Sequence, residues 1–238
     1  MALILVTGAA GGLGHHTANA LADEGHDVVV HVRNQARLTG TDVGGGRWKG
    51  VIVGDLAQPD EIRSAARQAR EFGRFDAVIH NAGVLHSPDV LTVNTIAPYL
   101  LTVLMDKPAR LVYLSSSMHR TGSTDLRRLT AGTVSYDDSK LWVTTLALAF
   151  ASRWEGTTSH AVDPGWVPTR MGGAAAPDDL AAGHRTQAWL ATHHDVTPAT
   201  GGYWYHQQTQ AAHPAARDEA FQARLLHALE NRTGTPPD

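Results

Sequence analysis

The chain has no cysteine in its 238 residues. That removes disulfides, a thiolate nucleophile and any Cys metal site, and it suits a cytoplasmic location. It also lacks a run of about 18 apolar residues of the kind a bilayer crossing needs, so no membrane is expected as a partner. The apolar opening Ala2–Val6 is too short for a signal sequence and runs straight into Thr7-Gly8, so it reads as a first strand. An excess of one charge sign is missing too. Lys and Arg number 20 against 23 Asp and Glu, for a formal charge of −3, and the basic residues are scattered. Nucleic acid is therefore not an expected partner. Histidine is plentiful at 14, but there is no H-E-x-x-H and no carboxylate nearby at ligand spacing. His15-His16 and His193-His194 are adjacent pairs, badly placed for one ion, so no metal is expected.

What is present is a chain that is 42% hydrophobic with 23 Gly and 11 Pro, of a size for one globular domain over 1–238. Short, continuous apolar runs recur, as in strands covered on both faces of a parallel sheet. They are Ala2–Val6, Asp27–Val32, Gly50–Gly54, Phe75–Ile79, Arg110–Leu114, Thr157–Val162 and Gly202–Tyr205. Helical stretches lie between them: one up to Glu24, Pro59–Phe72 with proline at its start, Val90–Met105, the apolar run Leu141–Trp154, and a final Arg217–Glu230. Residues 35–49, with Gly44-Gly45-Gly46, read as a flexible connection, 118–132 as an irregular loop, 174–195 as largely helical, and Thr233–Asp238 as a frayed tail. The alternation predicts an α/β, doubly wound parallel sheet of about seven strands, Rossmann-like, with ligands outside the carboxyl ends of the strands.

Four local patterns carry chemistry. Thr7-Gly8-Ala9-Ala10-Gly11-Gly12-Leu13-Gly14 links a strand to a helix, and such a turn offers backbone N–H groups and a helix dipole to a phosphate. Gly8 permits the tight turn, Gly12 a close approach to a pyrophosphate, and Gly14 tight helix–strand packing. At the end of the second strand stands Arg33 and no carboxylate, which favours a 2′-phosphate and hence NADP(H) over NAD(H); the alternative is a solvated Arg. Pro98 has no N–H to give the carbonyl of Asn94, so the helix there is expected to kink. Tyr136 and Lys140 are one helical turn apart and share a face. Such a pair alone also occurs as an exposed contact without function.

Together these residues resemble the short-chain dehydrogenase/reductase family from Ala2 to about Gly202. The matches, in the family's order, are T-G-x-x-x-G-x-G at 7–14, Asp55-Leu56, Asn81-Ala82-Gly83, Asn94, Ser115-Ser116-Ser117, Tyr136-x-x-x-Lys140 and Pro164-Gly165-x-Val167-x-Thr169. The resemblance implies that Tyr136 is the general acid or base, with its phenol, ordinarily near pKa ~10, lowered by Lys140 and by the cofactor's positive ring. Lys140 would also hold the nicotinamide ribose. Ser116 would bond the substrate oxygen, with Ser115 and Ser117 as alternates, and the Asn94 carbonyl would hold a water in a proton relay. Gly8, Gly12 and Gly14 would cradle the pyrophosphate, Asp55 would face adenine, Asn81 would lie beside the adenosine, and Val167 with Thr169 would hold the carboxamide. Leu13, Leu56, Ala82, Gly83, Pro164 and Gly165 complete the implied cofactor set. Two features depart from the family pattern: Gly11 stands where some NADP-preferring members carry a basic residue, and the stretch from Asn81 to Asn94 is short.

Substrate recognition is expected in 118–132 and 170–195, where Met118, His119, Trp166, Met171 and Trp189 could line an apolar pocket or simply pack. The expectation is an NADP(H)-dependent oxidoreductase acting on a carbonyl or alcohol. The alternative is a dinucleotide-sensing regulatory or scaffold protein on the same fold. Family members are often homodimers or homotetramers built on their fourth and fifth helices, and the apolar face around Leu141–Phe150 permits this.

Overall fold

A computed structural model describes residues 1–38 and 46–237. Residues 39–45 of the expected flexible connection, Gly44 and Gly45 among them, lie outside the described residues, as does Asp238. The strands are β1 (Leu3–Val6), β2 (Asp27–Val32), β3 (Gly50–Val53), β4 (Ala77–His80), β5 (Arg110–Leu114), β6 (Thr158–Asp163), β7 (Tyr203–Tyr205) and β8 (Gln208–Gln210). They form one sheet in the order β3-β2-β1-β4-β5-β6-β7-β8. All pairs are parallel except β7–β8. The strand count thus exceeds the expected seven by an antiparallel edge strand of three polar, exposed residues. It closes through a turn in which His206 and Gln207 take positive φ, a conformation that favours glycine.

Helices cover both faces. On one side lie α1 (Gly12–Asp23) and α6 (Leu180–Thr192); on the other lie α2 (Pro59–Glu71), α3 (Ala97–Leu104) and α5 (Tyr136–Arg153), with α7 (Pro214–Arg217) and α8 (Glu219–Thr233) packed on α5. The strand order reverses between β1 and β4, so a crevice opens outside their carboxyl ends.

Several local expectations change. The stretch expected as an irregular loop holds a 3₁₀ turn at Ser117–Thr121 and a short helix α4 (Arg127–Ala131) closed by Gly132 in the left-handed region. The helix expected over Val90–Met105 is divided: a π-helical turn spans Thr92–Ile96 and α-helix resumes at Ala97, so the missing N–H of Pro98 is accommodated by widening one turn. The tail is not frayed through Thr235. The Tyr99 hydroxyl donates to the Thr235 carbonyl at 2.6 Å, and the Arg63 guanidinium to the Thr233 carbonyl at 2.6 Å. The α8 helix seals α5 from behind. Leu141 through Phe150, the apolar face that would permit a second copy, are all buried within the chain.

The start of α5 is set by sequence. Ser135 caps it by accepting from Asp138 N at 3.1 Å, and the Asp138 carboxylate accepts from Ser135 N at 3.0 Å, a reciprocal pair that satisfies two end donors. Arg128 holds the same carboxylate at 2.8 Å. Tyr136 is thereby fixed as the first residue of the helix and Lys140 follows one turn later.

Candidate active site

The carboxyl ends of β1, β2, β4 and β5 open into a cleft of about 710 Å³. Gly8, Gly12, Leu13, Gly14, Arg33, Asp55, Leu56, Asn81, Ala82, Gly83, Tyr136, Lys140, Pro164 and Thr169 all line it. Thr7 organises the floor, an assignment the sequence reading left to the glycines. Its hydroxyl accepts from the N–H groups of Asn81 and Ala82, both at 3.0 Å, and the Asn81 amide donates to the Thr7 carbonyl at 2.9 Å. The oxygen of that amide, Asn81 Oδ1, is buried and has no partner among the described residues.

The glycine turn has the shape of a cradle. Gly8 has φ +67°, and a Cβ on it would lie 2.8 Å from the Ala82 Cα; on Gly14 it would lie 2.4 Å from Asn81 Nδ2 and 2.7 Å from the Gly8 carbonyl. A side chain at Gly12 would meet only Thr169, at 3.4 Å, so Thr169 closes over the turn. His31, which the sequence reading took as an ordinary strand residue, pins this turn. Its Nδ1 accepts from Gly8 N at 3.3 Å, which makes Nε2 the protonated nitrogen that donates to the Gly54 carbonyl at 2.9 Å. Burial pushes that imidazole down to about pKa 4, so it stays neutral. Its signal was a single His inside an otherwise aliphatic strand. Arg33, exposed at the end of β2, makes no ion pair among the described residues.

At the other end of the cleft stands the Tyr136 phenol, on which the Ser116 hydroxyl acts; Ser116 Oγ itself accepts from Met118 N at 3.3 Å. Ser115 lines the cleft, but its hydroxyl is taken by Thr144 at 2.5 Å, and Ser117 is exposed. Lys140 Nζ donates to the Leu114 carbonyl at 2.8 Å and lies 5.4 Å from the centre of the Tyr136 ring. The expected lowering of the phenol is not produced by the chain's own groups. Burial dominates and raises it to about 12, the Ser116 hydroxyl opposing and Asp163 and Asp137 adding to the rise. Burial likewise lowers Lys140 to about 8, with Asp163 opposing.

Asn94 does not line the cleft. Its side chain accepts from Val84 N at 2.8 Å and donates to the Val84 carbonyl at 2.9 Å and to Ser139 Oγ at 3.0 Å. Ser139 in turn donates to the Tyr136 carbonyl at 2.6 Å, so the π turn is tied to the first turn of α5. Gly165 and Val167 are also not brought to the cleft: Gly165 has φ +80° against the Asp178 carboxylate, and Val167 is buried against Gly183 of α6. Among the suggested pocket residues, Met171 lines the cleft, and Met118 and Trp166 are exposed large apolar side chains. His119 and Trp189 do not belong with them. His119 is fully buried, donating from Nδ1 to the Ser116 carbonyl at 2.7 Å and accepting at Nε2 from His213 N at 3.0 Å. Trp189 packs on Trp204, ring centres 5.2 Å apart. Among the described residues no helix is long and apolar enough to cross a membrane.

The short chain dehydrogenase family model matches residues 2–179. An oxidoreductase of Emericella nidulans, AN7799, is 37% identical over 98% of both chains, and the short-chain dehydrogenase chyC of Penicillium rubens is 36% identical over 98% of both. Among solved structures, an uncharacterized protein from Mycobacterium Paratuberculosis superposes with TM-score 0.81 at 23% identity, covering 100% of this chain and 95% of that one. A blue fluorescent protein from a metagenomic library, solved in complex with NADPH, superposes with TM-score 0.68 at 21% identity, covering 86% and 95%.

Proposed function

The chain belongs to the short-chain dehydrogenase family, and on that premise we propose that it is an NADP(H)-dependent oxidoreductase interconverting a carbonyl and an alcohol, with Tyr136 as the proton-transferring residue. The observation that carries this reading is that Tyr136 and Lys140, one helical turn apart, line one end of a glycine-floored cleft, with the Ser116 hydroxyl acting on the phenol.

The cleft fits a dinucleotide. Its turn tolerates no Cβ at Gly8 or Gly14, and Asn81 Oδ1 is a buried acceptor in want of a donor. Gly8, Gly12, Leu13 and Gly14 would hold the diphosphate through backbone N–H groups and the positive end of α1. Asp55, Leu56, Asn81, Ala82 and Gly83 would border the adenosine, Lys140 the second ribose, and Pro164 and Thr169 the carboxamide end, with Gly165 and Val167 shaping that loop from outside. Arg33 is the cation available to a 2′-phosphate. The structural neighbour that binds NADPH is consistent with this choice. The nicotinamide, when bound, supplies or accepts the hydride.

The chain's own groups handle the proton. A carbonyl oxygen bound between Ser116 and Tyr136 would accept from both hydroxyls. A phenol held up at about 12 is a protonated donor at neutral pH, suited to reduction. The ammonium of Lys140 favours the phenolate left after donation. The whole chain would act as one catalytic unit, with 118–132 and 170–195 facing the substrate. A panel of ketones, aldehydes and alcohols followed by NADPH absorbance tests the reading. Turnover of at least one carbonyl class is expected; binding of NADPH with no turnover across the panel would instead indicate a sensor.

A further inference from the structure

Two buried groups of opposite charge lie behind the phenol with no direct ion pair to either. Lys140, 6% exposed, donates a hydrogen bond to the neutral Leu114 carbonyl. Asp163, also 6% exposed, closes β6 and among the described residues accepts only from neutral donors: the Tyr203 hydroxyl at 3.1 Å and Gly165 N at 2.9 Å. The strand register brings them together. Leu114 pairs with Val162 and Ser115 N donates to the Val162 carbonyl at 2.7 Å, so Asp163 is the next residue past the strand position to which Lys140 is tied.

We propose that Asp163 is a positioning residue whose carboxylate, aimed by Tyr203 and Gly165, is the counter-charge that keeps Lys140 protonated in a buried site. An uncompensated buried ammonium is costly, and a carbonyl alone answers it weakly. The titratable groups around the pair are Tyr136 on α5, His119 on the 3₁₀ turn and Tyr203 on β7, with Asp137 at the helix start. Of the described groups, Asp163 is the charged one that acts on Lys140. It also acts on Tyr136, His119 and Tyr203, which marks it as the common charge of the inner layer. Removing a negative charge weakens proton binding at Lys140 and Tyr136 alike, so the two effects have one sign. The functional meaning rests on the role given to Lys140 above, but the test does not need turnover.

The chain has three lysines, Lys49, Lys107 and Lys140, so lysine labelled with carbon-13 at Cε gives a spectrum that Lys49→Arg and Lys107→Arg assign completely. In the unaltered protein the Lys140 signal should titrate near pH 8. In Asp163→Asn its midpoint should fall by about one unit or more, with Lys49 and Lys107 unmoved. Asp163→Ser, which can still accept from Tyr203, should give the same fall and serves if the Asn variant does not fold. An unchanged Lys140 midpoint in a folded variant would overturn the assignment. An inactive carbonyl panel would instead strike at the enzyme reading and leave this titration untouched.

Discussion

Lys140 Nζ lies 5.4 Å from the centre of the Tyr136 ring, yet its hydrogen bond goes to the Leu114 carbonyl at 2.8 Å. The lysine makes no hydrogen bond to the phenol, and the hydroxyl that acts on the phenol is that of Ser116. Proton donation and charge compensation are thus carried by different contacts, and each can be removed separately.

Tyr136→Phe deletes the donor and keeps the ring. Carbonyl reduction should fall by at least ~100-fold, within the range of general acid catalysis. Dinucleotide affinity, measured by fluorescence titration, should stay within about threefold, since the ring remains in place. Substantial residual turnover would contradict the assigned acid.

Arg33→Ala should weaken NADPH binding about tenfold or more and leave NADH nearly unchanged, because a charge-assisted pair to a 2′-phosphate is lost. Equal affinities for the two dinucleotides before and after the change would remove the basis for the NADP(H) preference.

Two neighbouring glycines make a controlled pair. A Cβ on Gly14 would meet Asn81 Nδ2 at 2.4 Å and backbone at 2.7 Å, whereas a Cβ on Gly11 meets nothing within 4 Å. Gly14→Ala should cost about 1–3 kcal/mol of stability and most dinucleotide binding, and Gly11→Ala should be near neutral in urea melts. Similar behaviour of the two variants would refute the cradle geometry.

Acid should destabilise the fold before it titrates the carboxylates. Burial lowers His31 and His160 to about 4 and His80 to about 3, from the ordinary 6.5. These imidazoles bind protons more weakly folded than unfolded, so their stabilising effect is full above 6.5 and is lost as pH falls toward the folded values. For His31 alone the loss would approach an order of 3 kcal/mol. Thermal melts at pH 7, 6 and 5 should step downward, and a flat series would count against neutral buried imidazoles.

The sheet and the glycine turn were legible because strands covered on both faces leave continuous apolar runs, as in Val28–Val30 and Leu111–Leu114. The Tyr136–Lys140 spacing was legible for the same local reason, fixed by the Ser135–Asp138 cap. What could not be read depends on distant partners. Gln208–Gln210 has no apolar pattern and becomes a strand only beside β7. His119 is adjacent in sequence to Met118, which is exposed, but the His213 backbone 94 residues away holds its ring inward. Arg127–Ala131 carried a readable stop in Gly132, and its start, marked by Asp125 accepting from Arg127 N at 3.1 Å, was also local; both signals were overlooked.

The α8 cover has a consequence for how the molecule is made. The hydroxyl of Tyr99 and the back of α5 find their partners far downstream in the chain, in Thr235 and the helix before it. During translation the helix bearing Tyr136 must wait, apolar side bare, until residues 219–235 have left the ribosome. Stalled nascent chains ending at residue 217 should therefore be cut by protease within α5, while released chains resist; equal resistance would show that the last helix is dispensable for that shelter.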